Sequence, residues 1–317
     1  MGRSRVNLKV QTGCDEWCTF CIIPSTRGPL RSYPCSELLA QARSKVAQGA
    51  RELVLTGVHL GKYGWDEGRP DDALLELLEG LLAIDGLARI RLSSILARHV
   101  TPRLVDLIGS EPRLCRFLHI PLQAGDDEVL EHMHRPYRIV EYGRTIELVR
   151  TRIPGIALAT DVIVGFPGET PAQFERTLDV VRRAGFLKLH VFRYSPRPGT
   201  PSAAWAGQVP EEEKRRRSKE LIAVGNELRL AVHQRQLGRS REVLVEERFD
   251  NGDLVGHTDD FVRVRFPGSV SLVDRLARVH IGEAGLESVR GSGAAEVAWD
   301  DADPRDLRLT EPPARPA

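Results

Sequence analysis

The chain has 317 residues, enough for about two domains at roughly 150 residues per domain. Its 41% hydrophobic and 28% charged residues exclude a wholly disordered or collagen-like protein. The net charge is only +1, so any affinity for nucleic acid must come from locally concentrated basic side chains. No apolar run approaches the ~18 residues that a membrane span needs, and the first residues show no signal-peptide pattern. We therefore predict a cytoplasmic protein that makes no membrane contact.

Short apolar segments alternate with longer amphipathic ones over most of the chain. Strands are predicted at 8–11, 52–56, 90–93, 117–120, 156–164 and 187–193. Helices are predicted at 34–49, 71–83, 102–108, 127–134, 140–152 and 171–184. Thr170 and Pro171 form a helix-start signal, and Gln173 completes a capping box. Six strand–helix repeats predict an α/β fold with a parallel sheet, and because a complete barrel has eight, a partial (βα)6 barrel fits.

The pattern changes after residue 210. One long helix is predicted at 210–237, followed by alternating apolar residues that are typical of strands: Val243, Val245, Val262, Val264, Phe266, Val279 and Ile281. Asn251-Gly252 is a hairpin signal. We predict a core domain at 1–237, a small antiparallel β-barrel domain at 238–290 and a disordered tail at 291–317.

Three of the five cysteines, Cys14, Cys18 and Cys21, lie within eight residues directly after the first predicted strand. Three thiolates at this spacing can bind three irons of a [4Fe–4S] cluster and leave the fourth iron open to another ligand. The alternative is a zinc site or unligated thiols, although structural zinc favours paired C-x2-C units and four protein ligands. We interpret the remaining Cys35 and Cys115 as structural.

This cysteine spacing at the start of a six-fold strand–helix repeat resembles the radical S-adenosylmethionine superfamily. The resemblance implies that S-adenosylmethionine chelates the open iron through its amino and carboxylate groups. It further implies that the reduced cluster cleaves the sulfonium to a 5′-deoxyadenosyl radical. Phe20 matches an aromatic position that lies near the adenine in such enzymes, and its alternative role is a core aromatic.

Longer segments narrow the resemblance to methylthiotransferases, which modify tRNA bases or a ribosomal protein. The matching segments are VQTGCDEWCTFCIIP at 10–24, HIPLQAG at 119–125, DVIVGFPGET at 161–170 and YSPRPGTP at 194–201. GHTDDFV at 256–262 resembles the RNA-binding TRAM barrel of these enzymes. The resemblance implies that the anticodon stem-loop of tRNA is a partner, and that an electron donor such as flavodoxin or ferredoxin is another.

The segment LTGVHLGKYG at 55–64 is most similar to the branch that acts on N6-threonylcarbamoyladenosine beside the anticodon. The branch that acts on isopentenyladenosine usually carries a glutamine–asparagine pair there. Within this segment, Gly57 and His59 are candidate cofactor contacts. Gly57 permits close approach of the backbone to a ligand, and its alternative role is that of a plain glycine-rich connector.

Four further candidate cofactor contacts follow later predicted strands. Gln123 could touch a nucleoside or only bond the backbone at a strand exit, and Gly165 and Gly168 allow a bend beside the adenosyl group. Arg197 lies between two prolines, which suits a carboxylate or phosphate, and its alternative role is a surface arginine. All four follow the carboxyl ends of strands, where α/β folds bind ligands.

Two basic features could contact RNA phosphates. The first is the run of lysines and arginines at 214–219, for which a solvated helix face with internal ion pairs is the alternative. The second is Arg263 and Arg265, which alternate on one predicted strand.

The chain departs from the methylthiotransferase pattern in two places. The first concerns the N-terminal domain of those enzymes, whose three cysteines hold a second cluster and which we expect to be truncated here. The second is Leu96-Ala97, which stand where a related branch has Glu-Pro. We therefore expect an N-terminally truncated threonylcarbamoyladenosine tRNA methylthiotransferase. The alternatives are a shortened radical enzyme that cleaves S-adenosylmethionine without completing thiolation, or a methylthiotransferase of another substrate branch.

Overall fold

The computed structural model describes residues 4–70 and 72–297. The strands of the first domain are β1 (Arg5–Lys9), β2 (Gln11–Thr12), β3 (Arg31–Ser32), β4 (Glu52–Thr56), β5 (Arg89–Leu92), β6 (Phe117–His119), β7 (Ala157–Val164) and β8 (Lys188–Arg193). Strands β1, β4 and β5 pair in parallel, as do β6, β7 and β8, while β2 and β3 form a short antiparallel ribbon. Parallel bridges between Ile90 and Leu114 and between Ser94 and His119 join the two sheets. Six parallel strands therefore follow one another in sequence order, and the predicted partial (βα)6 barrel is confirmed.

Helices connect and follow these strands in the chain. They are α1 (Ile23–Arg27), α2 (Cys35–Ala47), α3 (Ala73–Leu82), α4 (Pro102–Ser110), α5 (Asp127–His132), α6 (Ile139–Arg152), α7 (Pro171–Ala184) and α8 (Glu211–Gln234). Helix α7 has the predicted bounds, because Thr170 and Gln173 form the expected capping box at its start. No helix in 4–70 or 72–297 is long and apolar enough to cross a membrane.

The second domain is a closed barrel of five strands. They are β9 (Ser240–Arg248), β10 (Asp253–His257), β11 (Arg263–Pro267), β12 (Leu276–Ala284) and β13 (Val289–Glu296), and their order around the barrel is β10-β11-β13-β12-β9. All seven apolar residues that predicted these strands are buried. The prediction of a purely antiparallel sheet is wrong at one pair, because β11 and β13 run parallel. Five strands cannot close a ring with every neighbour antiparallel.

Strand β13 also corrects the predicted tail. Residues 291–296 form most of this strand, although they were predicted to be disordered from their small, polar composition. Gly291 shows why small residues occur here, since a Cβ atom at this position would lie 2.3 Å from Cγ1 of Val279. The rest of the predicted tail, from residue 298, lies outside the described residues.

The ring of Phe261, a residue of the five-stranded barrel, covers the amino end of the six-stranded sheet. The Phe117 ring on β6 lies 5.0 Å from it, centroid to centroid. Three cations from other strands also face the ring: the Arg91 guanidinium at 4.7 Å, the Arg5 guanidinium at 5.3 Å and the Lys188 ammonium at 5.4 Å. Phe261 thus contacts residues of β1, β5, β6 and β8 at once.

A buried ion pair supports the same junction. Nε of Arg91 donates to Oε1 of Glu52 at 2.7 Å, and its two Nη atoms donate to the carbonyls of Asp259 and Thr258 at 2.8 and 3.1 Å. Burial raises the pKa of Glu52, but Arg91 outweighs burial and holds that pKa below its ordinary value. One arginine of β5 therefore binds a carboxylate of the sheet and two carbonyls of the small barrel.

Candidate active site

The three clustered cysteines lie on the loop that follows β2, at the carboxyl end of the six-stranded sheet. All three are free thiols; Cys18 is buried, while Cys14 and Cys21 are half-buried. The backbone N–H of Cys14 donates to the carbonyl of Gly28 at 3.2 Å, and that of Cys21 donates to the carbonyl of Cys18 at 3.0 Å. The loop is therefore attached to Gly28 at its start and contains a turn between its second and third cysteines.

The donor set of this loop fits a cluster better than a single ion. In the described part of the chain, no three Cys, His, Asp or Glu side chains are grouped so that they could hold one metal ion. Three thiols on one short loop match a cluster with one open iron, whereas structural zinc takes four protein ligands. Burial raises the pKa of Cys14 to about 11 and also raises the pKa of Cys21. Burial therefore favours the neutral, protonated form of these two thiols when no metal is bound.

An ion-pair network holds the acidic residues between the first two cysteines. The Lys62 ammonium lies 2.7 Å from Oδ1 of Asp15 and 2.8 Å from Oε1 of Glu16. Arg98 also pairs with Glu16, and Nε2 of His59 lies 3.5 Å from the same carboxylate. His59, Lys62 and Arg98 hold the pKa of Glu16 well below its usual range. His59 thus faces the cysteine loop.

Gly57 accommodates the side chain that positions the start of the cysteine loop. A Cβ atom on Gly57 would lie 2.8 Å from Oε1 of Gln11. That oxygen accepts a hydrogen bond from the backbone N–H of His59 at 2.8 Å, and Nε2 of Gln11 donates to the carbonyl of Gly13 at 2.8 Å. The close approach at Gly57 is therefore to Gln11, and a ligand contact there stays a prediction.

Phe20 contacts Phe166, which lies between the two candidate glycines after β7, Gly165 and Gly168. The rings of Phe20 and Phe166 meet edge to face, with centroids 6.4 Å apart, and Phe20 is half-buried. Gly165 has a φ of +73°, and a Cβ atom there would lie 2.4 Å from Cγ of Lys214 on α8. Gly168 has a φ of +82°, and its surroundings leave room for a side chain. Packing against α8 accounts for Gly165, whereas the open space beside Gly168 stays available to a ligand.

Glu169 has a structural role. Its Oε2 accepts from the backbone N–H of Gly165 at 2.5 Å and from Nη1 of Arg217 at 2.8 Å. Burial raises the pKa of Glu169, partly offset by these two donors. The segment after β7 is thereby attached to α8.

The main chain of Gln123 forms hydrogen bonds with β7 at a strand exit. Its N–H donates to the carbonyl of Asp161 at 2.8 Å, and its carbonyl accepts from Ile163 at 2.9 Å. Its φ of +64° turns the chain away from the sheet, and its side chain is half-buried. Nearby, the ring of His119 lies 3.1 Å from Asp161 and stacks on His190 at 5.5 Å. Contact of Gln123 with a nucleoside stays a prediction.

The loop that carries Arg197 packs on the cysteine loop. Ser202 donates to the carbonyl of Thr19 through its N–H at 3.0 Å and through its hydroxyl at 2.9 Å. A Cβ atom on Gly199 would contact Ile22 at 3.4 Å. Arg197 itself is exposed, and it makes no ion pair within residues 4–70 and 72–297. Arg197 thus lies exposed on a loop that contacts the cysteine loop.

The basic run on α8 is largely neutralised within the protein. Arg216 pairs with Glu213 at 2.8 Å and with Glu220 at 3.0 Å, while Arg217 is buried. This favours the interpretation as a helix face with internal ion pairs over phosphate binding. Arg263 and Arg265 have only long ion-pair contacts, of 3.9 and 3.6 Å, and remain the better RNA candidates.

The structure brings the cysteine loop together with 57–59 and 197–202, and it adds cations that sequence reasoning missed. These are Lys62, Arg98 and Arg135, whose Nη1 lies 3.2 Å from Sγ of Cys18. The acidic pair Asp15-Glu16 inside the cysteine loop was a signal that nearby cations were needed. Nothing local marked Arg135, which lies 117 positions from Cys18.

Comparison with known proteins agrees with this arrangement. A family model of the Radical SAM superfamily matches residues 8–181, which is more than half of the chain, and a TRAM domain model matches residues 234–292. The solved structure of the methyltransferase TsrM from Kitasatospora setae superposes with a TM-score of 0.53 and 19% identity, covering 64% of this chain and 38% of that one. Coproporphyrinogen III oxidase (HemN) from Escherichia coli gives a TM-score of 0.51 and 16% identity, covering 88% and 67%. At these identities the structures support the fold alone.

Two curated relatives are more similar in sequence. The threonylcarbamoyladenosine tRNA methylthiotransferase MtaB of Thermotoga maritima is 40% identical over 268 residues, covering 84% of this chain and 61% of that protein. The tRNA-2-methylthio-N(6)-dimethylallyladenosine synthase of Carboxydothermus hydrogenoformans is 39% identical over 290 residues, covering 90% and 66%. The chain spans less than two thirds of the length of either relative. Because the superfamily match includes the cysteine loop and most of the parallel sheet, the chain belongs to the Radical SAM superfamily, and its C-terminal barrel is a TRAM domain.

Proposed function

We propose that this chain is the radical and RNA-binding part of a tRNA methylthiotransferase, with N6-threonylcarbamoyladenosine beside the anticodon as its substrate. In this proposal Cys14, Cys18 and Cys21 hold one [4Fe–4S] cluster whose open iron binds S-adenosylmethionine. When bound, the cluster supplies the electron that cleaves S-adenosylmethionine. The observation that carries the proposal is the cysteine loop at the carboxyl end of the sheet, held by Lys62 through Asp15 and Glu16.

The residues around the loop would orient the cofactor and exclude water. Phe20, packed on Phe166, offers an apolar surface for an adenine ring, and Gly168 leaves room beside it. The proposal places the chain in the cytoplasm with tRNA, and requires an electron donor such as flavodoxin or ferredoxin.

The choice of substrate branch rests on Arg197 and on the segment at 55–64. Overall identity does not separate the branches, since relatives of the two kinds are 40% and 39% identical to the chain. Threonylcarbamoyladenosine carries a carboxylate, whereas dimethylallyladenosine carries only an apolar group. Arg197 is exposed on a loop that packs against the cysteine loop, and an arginine held there can bind a carboxylate through two hydrogen bonds.

Binding of matched RNA tests the branch. Two anticodon stem-loops of one sequence would carry either threonylcarbamoyl- or dimethylallyladenosine, and their Kd values would be measured for the reconstituted protein. We expect tighter binding of the threonylcarbamoyl form, and Arg197→Gln should remove about tenfold of that preference, as expected for one charged hydrogen bond. Arg182→Gln on the outer helix α7 is the matched control. Equal binding of the two RNAs would contradict this choice of substrate.

A second candidate function is cleavage of S-adenosylmethionine without thiolation. The described residues offer only one group of three cysteines, since Cys35 and Cys115 lie apart from the loop. Assays of the 317-residue polypeptide would measure 5′-deoxyadenosine and, by mass spectrometry of digested tRNA, the methylthio product. 5′-Deoxyadenosine without the methylthio product favours the second candidate for this polypeptide, and a methylthio product favours the first.

A further inference from the structure

The turn at 132–135, directly after α5, binds the second half of the cysteine loop. The carbonyl of Met133 accepts from the N–H of Thr19 at 3.2 Å, and the carbonyl of His132 accepts from the hydroxyl of Thr19 at 2.7 Å. The Nδ1 atom of His134 lies 2.8 Å from the carbonyl oxygen of Trp17. His134 has a φ of +58°, a left-handed conformation that is uncommon outside glycine. This turn therefore holds the loop on both sides of Cys18.

The same turn directs the side chain of Arg135 at a cysteine sulfur. Nη1 of Arg135 donates to Sγ of Cys18 at 3.2 Å. Nε donates to the hydroxyl of Tyr137 at 3.3 Å, and the guanidinium lies 5.2 Å from the centre of that ring. The hydroxyl of Tyr137 in turn donates to the carbonyl of Pro121 at 3.0 Å. Arg135 is thus fixed by a buried tyrosine that is itself anchored to the sheet.

The remaining nitrogen of Arg135 is the unusual feature. Its Nη2 is sealed from solvent and has no hydrogen-bond partner among the described residues. No carboxylate in 4–70 or 72–297 pairs with this guanidinium, so its charge faces the sulfur of Cys18 without a protein counter-ion. A buried guanidinium without a counter-ion is costly, which points to negative charge beside Cys18 that the chain itself does not provide.

We infer that Arg135 is a positioning residue that sets the reduction potential of the cluster held by Cys18. This inference rests on the cluster of the proposed function. Hydrogen bonds to cluster sulfurs and nearby positive charge stabilise the more negative, reduced state of an iron–sulfur cluster. Arg135 supplies both, because Nη1 donates to the ligand sulfur and the guanidinium charge beside it has no protein counter-ion.

The reduction potential of reconstituted variants tests this role. In a redox titration followed by electron paramagnetic resonance, Arg135→Gln should shift the midpoint to more negative values. We expect the reduction equilibrium constant to fall at least tenfold, which is about 59 mV for one electron. Arg135→Lys keeps the charge and should shift the midpoint less. Arg138→Gln is the matched control, since Arg138 is exposed and pairs only with Glu131 in this region, and it should leave the midpoint unchanged.

Iron content separates the proposal that a cluster binds from the proposal that Arg135 sets its reduction potential. Wild-type protein that binds no iron after reconstitution would contradict the cluster itself. A wild-type cluster whose midpoint is unchanged in Arg135→Gln would overturn only the role of Arg135. If Arg135→Gln does not fold, wild-type protein labelled with 15N-arginine decides the question by pulsed electron paramagnetic resonance. A weak nitrogen coupling to the reduced cluster supports the contact, and its absence overturns it.

Discussion

Each end of the six-stranded sheet contains an arginine next to an aromatic ring. The two arginines differ in whether protein atoms accept all of their hydrogen bonds. At the amino end, the donors of Arg91 all have protein acceptors: the Glu52 carboxylate and two carbonyls of the TRAM domain. At the carboxyl end, Arg135 donates to Cys18 and Tyr137, and its Nη2 has no acceptor in the described chain. The charge of the first arginine is paired within the protein, whereas the charge of the second has no carboxylate partner among the described residues.

This difference shows how the hydrogen bonding and charge pairing of buried arginines distinguish the structural region of the sheet from its ligand-binding region. Buried charges are stable when they are paired and hydrogen-bonded, as Arg91 is. A protein retains an incompletely paired cation where a bound group supplies the missing acceptor. Substitutions at the amino end should therefore change stability, and substitutions at the carboxyl end should change cluster chemistry.

The largest expected effect is at the carboxyl end. Replacing Cys14, Cys18 or Cys21 by Ala should abolish cleavage of S-adenosylmethionine, because in the proposed cluster each thiolate binds a different iron. Cys35→Ala and Cys115→Ala are the controls and should keep it. Iron content and 5′-deoxyadenosine formation measure both sets. Full cleavage activity in Cys18→Ala would refute the cluster assignment.

At the amino end, Arg91→Met should lower the free energy of unfolding by about 3–5 kcal/mol, because it leaves the buried Glu52 carboxylate unpaired. Denaturant unfolding followed by circular dichroism measures this change. Arg103→Gln removes an exposed pair with Asp72 and should cost at most about 1 kcal/mol. Similar losses in the two variants would mean that the junction is not the stabilising feature inferred here.

Phe261 provides a smaller test of the same junction. Phe261→Ala should cost about 2–3 kcal/mol through lost ring contacts and cation–π interactions. Because Phe261 has a φ of +67°, Phe261→Gly should be more stable than the alanine variant by up to about 1 kcal/mol. Thermal unfolding compares the two, and a less stable glycine variant would contradict the left-handed conformation.

The pH dependence of stability should report the Glu52–Arg91 pair. Arg91 holds the folded-state pKa of Glu52 below its ordinary value of 4.5. The pair therefore contributes stability above pH 4.5, and this contribution is lost as the pH falls through the folded-state pKa. The stability difference between wild type and Glu52→Gln should shrink below pH 4.5, and a difference that is constant with pH would contradict the shift.

The smallest expected effect concerns RNA. Removing 239–317 would expose the end that Phe261 closes, so substitutions test RNA binding more cleanly than this deletion. Replacing Arg263 and Arg265 together by Ala should weaken tRNA binding about tenfold and reduce the slope of log affinity against log salt by about 1–2. Arg278→Ala, on β12, is the control. An unchanged salt slope would remove these two arginines from the RNA interface.

Much of the fold and the core of the site could be predicted from the sequence, because their signals are local. The strand at Glu52–Thr56, the capping box of α7 and the alternation of Val262, Val264 and Phe266 each depend on neighbours in the chain. The three cysteines are likewise close in sequence. Local periodicity identifies an element and its buried face, and closely spaced ligands need no distant partner.

Only the tertiary structure decided which distant groups meet. Arg135 reaches Cys18 across 117 positions, and Arg91 reaches the carbonyl of Asp259 across 168. The parallel pairing of β11 with β13 follows from closing a ring of five strands, which no single strand can signal. Local pattern sets which side of a helix or strand is buried. The partner on that side is set by the packing of whole elements, since the contact energy depends on distances that exist only after the chain has folded.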